Sequence, residues 1–529
     1  MTDLLLYDTT LRDGAQTEGI AFSLDDKVKI ARRLDQFGVH YIEGGFSHPS
    51  IRTDIEFFSR MREEPLENAK LVVFGMTRRA GAKADQDPGV RNLVELGAPV
   101  AAIVAKTWDH HVTAALRVDL EENLAMIRDT VRFVKDHGVE VCFDAEHFFD
   151  GLKHNRDYAL ECLRAAAEAG ADSICLCDTN GGMLPNEIRD AVELVRRETS
   201  VPLGIHAHDD CQLAVANTLA AVQAGAVQVQ GTINGYGERC GTANLCSVIP
   251  NLQLKLGKTL LTEEQLSHLY ETAHYIASVA NMPPPERDAY VGRSAFSHKG
   301  GMHVDAMLKS PRTYEHIRPE QVGNERRYLV SDQAGRGAVI FKAQSLDLGL
   351  DKDSPQTKEI MERLKEMEHA GYQFEGAEAS FELLVQKSVG RYHPRFDLEG
   401  FRVIVEKDRD GDIRTEATIK LKVDGEEEHT AAEGDGPVHA LDNALRKALE
   451  RFYPQLARIR LTDFKVRVVD APAQATAASV RVMIESRSGA DTWTTVGVHT
   501  NIIEASWQAL VDGVEYGLLK SLGEPNNSK

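Results

Sequence analysis

The chain has 529 residues, of which 42% are hydrophobic and 27% charged, as is ordinary for a globular protein of two or three domains. Its formal net charge of −20 argues against nucleic acid as a partner, because phosphate contacts need clustered Lys and Arg. An anionic small molecule remains a possible substrate, since a local cationic site can lie within an acidic protein.

The N-terminus and the hydropathy pattern predict a cytoplasmic protein with no membrane segment. The first 14 residues lack the positive region and the long apolar run of a signal peptide. No window approaches the roughly 20 apolar residues of a membrane span. The seven scattered cysteines do not suggest a disulfide framework, and Cys175 and Cys177 are interpreted as small buried side chains in an apolar strand.

The first 260 residues alternate between short β-like runs and amphipathic helix-like runs. Strands are predicted at eight ranges: 4–8, 41–46, 70–76, 100–107, 140–147, 173–179, 202–208 and 227–234. Ser23 is a candidate N-cap for the first helix, and Gly38 is its candidate stop. Eight βα units in about 250 residues predict an α/β fold of the (β/α)8 TIM-barrel type. A doubly wound open sheet is the alternative, but no GxGxxG follows the first strand.

After residue 260 the alternation stops. A predicted helix over 261–282 stops at Pro283, the segment 286–350 has little regular period, and a helical stretch follows at about 355–371. Four β-rich runs then begin at Phe401, Thr415, Asp463 and Ala478. Two helical runs, 438–453 and 501–522, interrupt or follow them. We therefore predict a TIM-barrel catalytic domain at 1–265, a helical connector at 266–385 and a C-terminal α+β domain at 386–529.

Several residues at the predicted strand ends are candidate ligands of a metal ion. Functional groups of a TIM barrel lie at the carboxyl ends of its strands, where Arg12 and Asp13 follow the first strand. On their own these two residues could be a surface ion pair of little energetic weight. His206 and His208 are two residues apart on the seventh strand and therefore share a face. Strand eight alone separates strands one and seven, so Asp13, His206 and His208 can reach one Mg²⁺, Mn²⁺, Zn²⁺ or Co²⁺ ion.

Strands five and six end in further polar side chains. Asp144 and Glu146 share one face of strand five, while His147 lies on the other. Glu146 is either a general base or a group that orients a metal ligand. Thr179 either hydrogen-bonds a substrate carboxylate or caps the helix that follows at Pro185.

The segments DTTLRDGAQ (8–16), CDTNGG (177–182), HAHDD (206–210) and GERCGTANL (237–245) together carry a family resemblance. They resemble the DRE-TIM metallolyase superfamily, which includes isopropylmalate, homocitrate and citramalate synthases and hydroxymethylglutaryl-CoA lyase. The β-rich tail is similar to the regulatory domain of isopropylmalate and citramalate synthases, so the resemblance covers the whole chain. The phrases DAEHFFDG, FSHKGGMH and GPVHALDNALRKAL look most like the longer citramalate synthases.

That resemblance implies a metal-dependent condensation of acetyl-CoA, the co-substrate, with pyruvate, followed by thioester hydrolysis. It implies that Arg12 neutralises the keto oxygen of the acceptor as this oxygen becomes an alkoxide. The remaining implied roles are metal binding by Asp13, His206 and His208, and action in the substrate pocket by Gln16, Glu146 and Thr179. His303 and Tyr314 are expected to come from the connector of the partner subunit in a homodimer and to help deprotonate acetyl-CoA.

The resemblance leaves four questions open. Thr242 stands where many relatives have an Asn, so the fourth metal ligand could be water, the Thr242 hydroxyl or Asn244. The acceptor could be a larger 2-oxo acid, as in 2-isopropylmalate or homocitrate synthase. A hydroxyacyl-CoA lyase is a further alternative because Cys240 lies after strand eight, although the tail argues against it. The tail is expected to bind isoleucine as an effector, or else to serve only in dimerisation.

Overall fold

The computed structural model describes residues 4–283, 286–329, 354–469, 478–489 and 491–523. The chain forms two compact units, of which the first comprises Met1–Phe296 and His316–Arg326 and the second Ser297–Glu315 and Arg327–Lys529. Each unit thus contains segments from both sides of residue 300, and the three-part division at 265 and 385 stays a prediction. Every helix within the described ranges is too short or too polar to cross a membrane.

The first unit is built on a closed barrel of eight parallel strands. In chain order the strands are β1 (Leu5–Asp8), β2 (Tyr41–Phe46), β3 (Lys70–Met76), β4 (Val100–Lys106), β5 (Glu140–Glu146), β6 (Ser173–Asp178), β7 (Leu203–Ala207) and β8 (Gln228–Gly231). The barrel closes because β1 pairs with β2 on one side and with β8 on the other. The predicted TIM barrel is therefore confirmed, and the open-sheet alternative is wrong.

Helices surround the barrel and pack their apolar faces on the outer side chains of the strands. They are α1 (Leu24–Phe37), α2 (Arg52–Glu63), α3 (Pro88–Glu95), α4 (Leu120–Asp136), α5 (Phe148–His154), α6 (Arg156–Glu168), α7 (Pro185–Glu198), α8 (Ala214–Ala224), α9 (Leu245–Pro250), α10 (Glu263–Leu266) and α11 (Leu269–Val279). Helix α1 begins at a capping box between Ser23 and Asp26, which stabilises it by about 1 kcal/mol. It ends at Gly38, whose φ of 98° suits glycine, so both predicted boundaries are confirmed.

The second unit begins with short elements and two longer helices. These are β9 (Ser297–His298), α12 (Gly301–Lys309), β10 (Arg327–Tyr328), α13 (Pro355–His369) and α14 (Glu378–Ser388). The two short strands pair in parallel, with Tyr328 beside His298. Apolar side chains of α13 and α14, among them Leu364 and Phe381, form a small core together with Val496 and Val498.

The remainder of the second unit repeats one pattern, three antiparallel strands followed by a helix. The first copy is β11 (Asp397–Lys407), β12 (Ile413–Val423), β13 (Glu426–Gly434) and α15 (Pro437–Leu449), and the second is β14 (Ile459–Val468), β15 (Val480–Ser488), β16 (Asp491–His499) and α16 (Ile502–Gly523). In each copy the helix packs mainly on the second and third strands. The α+β tail is confirmed, whereas the repeat and the strands β13 and β16 were not predicted.

Candidate metal centre and cavity at the barrel mouth

A cavity of about 740 Å³ lies at the carboxyl ends of the barrel strands. Residues at or after the ends of the eight strands contribute to its lining, for example Asp13 after β1, Lys106 on β4 and Glu146 on β5. This volume is within the usual range for a small-molecule site, roughly 300–1,000 Å³. The placement matches the rule that functional groups of a TIM barrel gather at this face.

Asp13, His206 and His208, hereafter the metal triad, converge at the base of this cavity. The Nε2 atom of His206 lies 3.3 Å from Asp13 Oδ2, and that of His208 lies 3.9 Å from the same oxygen. One ligand atom of each residue lies within 4.8 Å of the other two, and all three side chains are buried. The structure therefore brings together the three residues that were predicted to meet from strands one and seven.

The protonation of Asp13 and His208 suits a divalent cation. Burial opposes ionisation of Asp13, but the Arg12 guanidinium and the His206 hydrogen bond outweigh it and hold the pKa of Asp13 well below its usual value. Burial, followed by the charge of His206, lowers the pKa of His208 to about 4, so this imidazole is neutral at pH 7 and keeps a lone pair. Asp13 Oδ1 is buried without a hydrogen-bond partner, which is costly unless a cation binds it. These residues fit a metal ion.

Gln230 on β8 fixes the orientation of His206. Its Nε2 donates to Asp144 Oδ1 at 3.1 Å, so its Oε1 faces His206 Nδ1, also at 3.1 Å. The imidazole therefore carries a proton on Nδ1, so Nε2, the atom that faces Asp13, is the one that would bind a metal ion in place of its hydrogen bond to that carboxylate. Sequence reasoning missed Gln230, although a polar residue inside a short buried strand is the signal that could have found it.

Arg12 is held at the cavity by contacts on three sides. Its Nε donates to Glu43 on β2, its NH1 lies 3.4 Å from Asp13 Oδ2, and its guanidinium lies 3.9 Å from the centre of the Phe74 ring. Burial opposes the charge, but Glu43 and Asp13 raise the pKa of Arg12 above its ordinary value. The positive charge is therefore permanent. Glu43, which is completely buried, was missed although it is the one charged residue in the apolar run YIEGGF.

A backbone irregularity beside Glu43 depends on glycine. The pairing of β2 with β3 shifts register between Glu43 and Gly45, where Gly45 has a φ of 152°. A Cβ atom on Gly45 would lie 2.4 Å from Asp54 Cγ, so no other residue fits there.

Glu146 and Asp144 both line the cavity, as expected for residues that share a face of β5. Glu146 forms an ion pair with Lys106, the residue beside it on the neighbouring strand β4. Burial, followed by the charge of Glu43, raises the pKa of Asp144 to about 6. Sequence reasoning missed Lys106, because a lysine that ends an apolar strand is equally typical of a strand end that lies in solvent.

Gln16 and Thr179 also line the cavity. The Thr179 hydroxyl oxygen accepts a hydrogen bond of 2.9 Å from the backbone N–H of His147, so its own proton can be donated to a ligand. The helix that begins at Pro185 has Leu184 at its N-cap, so the alternative that Thr179 caps this helix is wrong.

The two protein candidates for the fourth ligand are engaged elsewhere. The Thr242 hydroxyl donates to the carbonyl of Tyr236 at 3.2 Å and lies 3.3 Å from the Thr232 hydroxyl. Asn244 is the N-cap of α9, and its Oδ1 accepts from the backbone N–H of Cys246 at 2.9 Å. Their predicted part in metal binding has no support from these contacts.

His303 and Tyr314 lie together in the second unit, with their rings stacked at 4.1 Å. Their expected contribution from a partner subunit stays a prediction.

Models of three families match successive parts of the chain. The HMGL-like model matches residues 3–276, the homocitrate synthase post-HMGL domain-like model residues 290–371, and the LeuA allosteric (dimerisation) domain model residues 375–518.

Five relatives that are 44–53% identical over nearly the full length share the name (R)-citramalate synthase. An (R)-citramalate synthase of Geobacter sulfurreducens is 53% identical over 98% of both chains, and one of Aquifex aeolicus is 52% identical over 97% of this chain and 98% of its own. A probable 2-isopropylmalate synthase of Methanopyrus kandleri is 34% identical over 96% of this chain and 97% of its own. The chain therefore belongs to the HMGL-like family and, within it, to the (R)-citramalate synthases.

Proposed function

We propose that the protein condenses acetyl-CoA with pyruvate and hydrolyses the thioester, giving (R)-citramalate and CoA. The observation that carries this proposal is the convergence of the metal triad and Arg12 in one cavity. Relatives of this name that match the chain over nearly its full length at more than 50% identity support the choice of pyruvate.

The metal triad would hold a divalent ion, which supplies a Lewis acid for the keto and carboxylate oxygens of the 2-oxo acid. Arg12 lies beside Asp13, and its permanent charge would stabilise the keto oxygen as this becomes an alkoxide. Thr179 and Gln16 would bind the substrate through hydrogen bonds from the cavity wall.

Deprotonation of the acetyl methyl group needs a base near the cavity. Glu146 is the candidate within the barrel, with Lys106 as its counter-ion. The second candidate is His303 with Tyr314 of the partner subunit. The base takes a methyl proton, and the resulting enolate carbon bonds to the keto carbon as the keto oxygen becomes an alkoxide. The alkoxide takes up a proton to give the hydroxyl group, which restores the base. Water then cleaves the thioester, its hydroxyl going to the acyl carbon and its proton to the CoA thiol.

CoA release, detected by a thiol reagent, tests this function. The purified protein would receive acetyl-CoA, Mn²⁺ or Mg²⁺, and in turn pyruvate, 2-oxobutyrate, 2-oxoisovalerate or 2-oxoglutarate, each with an EDTA control. We expect EDTA-sensitive release that is fastest with pyruvate. Preference for a bulkier acid would move the protein to a sister activity, and the absence of release with every acceptor would contradict a synthase.

The C-terminal domain is proposed to bind isoleucine and to join two chains in a homodimer. The match to the LeuA allosteric (dimerisation) domain model supports both ideas. Apolar residues on β11 and β14 remain exposed, with Val405 at 54% and Val466 at 43%, as suits a surface that pairs with another chain. Light scattering tests the dimer. Activity and thermal unfolding with isoleucine, with leucine as the matched control, test the effector. A cytoplasmic location stays a prediction.

A further inference from the structure

A second group of metal-ligating side chains lies inside the barrel, outside the metal triad. Asp144, Cys175 and Cys177 each offer one ligand atom, and these three atoms lie within 4.8 Å of one another. All three side chains are buried, and we call them the thiol cluster. Among the described residues this is the only group of three His, Cys, Asp or Glu side chains, besides the metal triad, that meets this distance.

The thiol cluster forms because side chains along a strand alternate between its two faces, and two neighbouring strands place these three residues on the same face. Asp144 on β5 and Cys175 on β6 are register partners, and Cys177 follows Cys175 on the same face. Asp144 and Cys177 also line the cavity at the barrel mouth, so an ion from solvent can reach them. The cluster is thus built into the barrel wall, and it opens on the side from which substrates enter.

Buried cysteines usually act as small apolar side chains, which is how the sequence alone was interpreted. The carboxylate among these sulfurs argues otherwise. Asp144 is only 3% exposed, and it accepts a hydrogen bond from Gln230. Packing alone does not require an acid at this position, because burial of a carboxyl group costs free energy that an apolar side chain would avoid.

Cys142 adds a third sulfur to the same carboxylate. It precedes Asp144 by two residues on β5, and its Sγ lies 3.7 Å from Asp144 Oδ1 and 3.8 Å from Gln230 Nε2. Cys142 lies outside the group whose ligand atoms all meet within 4.8 Å, so Asp144, Cys175 and Cys177 are the ligands that the chain offers, and water would complete a tetrahedral Zn²⁺ site.

We propose that the thiol cluster binds a soft divalent cation of the Zn²⁺ or Cd²⁺ class. Thiolate ligands select such ions over Mg²⁺ and Mn²⁺, which suit the oxygen and imidazole ligands of the metal triad. Each cysteine that coordinates loses its thiol proton to solvent, so binding releases protons and strengthens as the pH rises.

Occupancy of this site would disturb the metal triad. Gln230 bridges Asp144 to His206, and Cys177 is the register neighbour of His206. An ion that recruits the Asp144 carboxylate removes the acceptor that orients the Gln230 amide. The thiol cluster is therefore an inhibitory site for thiophilic metals.

The first test is a Cd²⁺ titration of the full-length protein in the presence of excess Mn²⁺. The two exposed cysteines would first be removed as Cys211→Ser and Cys240→Ser, so that they contribute no thiolate. The sulfur-to-cadmium charge-transfer absorption reports thiolate ligands only, and it does not depend on the proposed condensation. We expect a saturable band that is lost when Cys175→Ser and Cys177→Ser are added. The control Cys162→Ser, a buried cysteine on α6, should keep the band.

A band that survives the loss of Cys175 and Cys177, or no band at all past two equivalents of Cd²⁺, would overturn the proposal. Because variants of a barrel interior can fail to fold, X-ray absorption at the zinc edge provides a test on the unsubstituted chain. Two equivalents of Zn²⁺ would fill both sites. We expect a sulfur shell near 2.3 Å beside the nitrogen and oxygen shell near 2.0–2.1 Å, and a spectrum without sulfur would overturn the site.

The inhibitory role has its own test in the CoA-release assay. Inhibition by Cd²⁺ that excess Mn²⁺ does not relieve is expected for the protein with intact Cys175 and Cys177. Full relief by Mn²⁺ would mean that Cd²⁺ acts only at the metal triad, and would overturn this role.

Discussion

Two carboxylates with a buried oxygen atom, one in each unit, lead to opposite functional conclusions. Asp13 in the barrel and Asp442 in the tail each have an Oδ1 atom that is buried without a hydrogen-bond partner. Asp13 faces two imidazoles and a large cavity, whereas Asp442 pairs with Arg446 one turn along its own helix. Among the described residues Asp442 belongs to no group of three ligating side chains. An unpaired buried oxygen therefore marks a ligand site only where other ligand atoms converge on it.

The largest expected effect is a loss of kcat when Arg12, beside Asp13, is replaced. Replacement of Arg446, which pairs with Asp442, should not cause this loss. Arg12→Gln should lower kcat by about 100- to 1,000-fold, because it removes a charge aimed at the developing alkoxide. Arg446→Gln should lower the melting temperature through lost bonds to the Leu456 and Ile459 carbonyls, with kcat unchanged. Steady-state kinetics beside thermal unfolding measures both. A near-normal kcat in Arg12→Gln would remove Arg12 from the chemistry.

Metal binding should distinguish the two carboxylates themselves. Mn²⁺ at 100 times its Kd should stabilise the unsubstituted protein by about 2.7 kcal/mol, which thermal unfolding detects. Asp13→Asn should abolish this shift, and Asp442→Asn should keep it. Removal of the metal by EDTA should lower the melting temperature of the unsubstituted protein toward that of Asp13→Asn. An equal Mn²⁺ response in both variants would show that the ion binds outside the metal triad.

The orientation of His206 by Gln230 predicts a smaller effect. Gln230→Leu removes the acceptor of the Nδ1 proton, and loss of such a partner typically weakens metal affinity by about 10- to 100-fold. Gln228→Leu is the matched control, since Gln228 is buried on the same strand and lies 3.7 Å from the Cys142 sulfur. Calorimetry of Mn²⁺ binding measures both affinities, and equal losses would mean that barrel packing, not His206, is responsible.

The difference between the units also explains what the sequence could predict. The barrel follows from the period of its apolar runs, and the metal triad follows from strand ends that closure must bring together. Glu43, Lys106 and Gln230 were missed because their contacts join different strands, and one sequence shows no pairing between them.

The tail repeats one fold, yet two of its strands were missed for local reasons. Strand β13 begins with three glutamates, a pattern that is more typical of a loop in solvent than of a strand. Strand β16 is rich in threonine, contains Gly497, and has a short apolar pattern. Both strands are stabilised by pairing, β13 with β12 and β16 with β15. The residue pattern of a single strand does not show this contribution.

The smallest expected effect concerns the fourth ligand of the metal. Asn244 is engaged as the N-cap of α9, so Asn244→Ala should cost about 1 kcal/mol of stability, and thus a few degrees of melting temperature. Because its oxygen is already bonded to the Cys246 N–H, Mn²⁺ affinity should be unchanged. Asn244→Asp, which keeps the cap, is the control for stability. A loss of Mn²⁺ affinity in Asn244→Ala would instead make Asn244 a ligand that exchanges its cap for the metal. Calorimetry beside thermal unfolding separates these outcomes, because a cap changes only the free energy of unfolding.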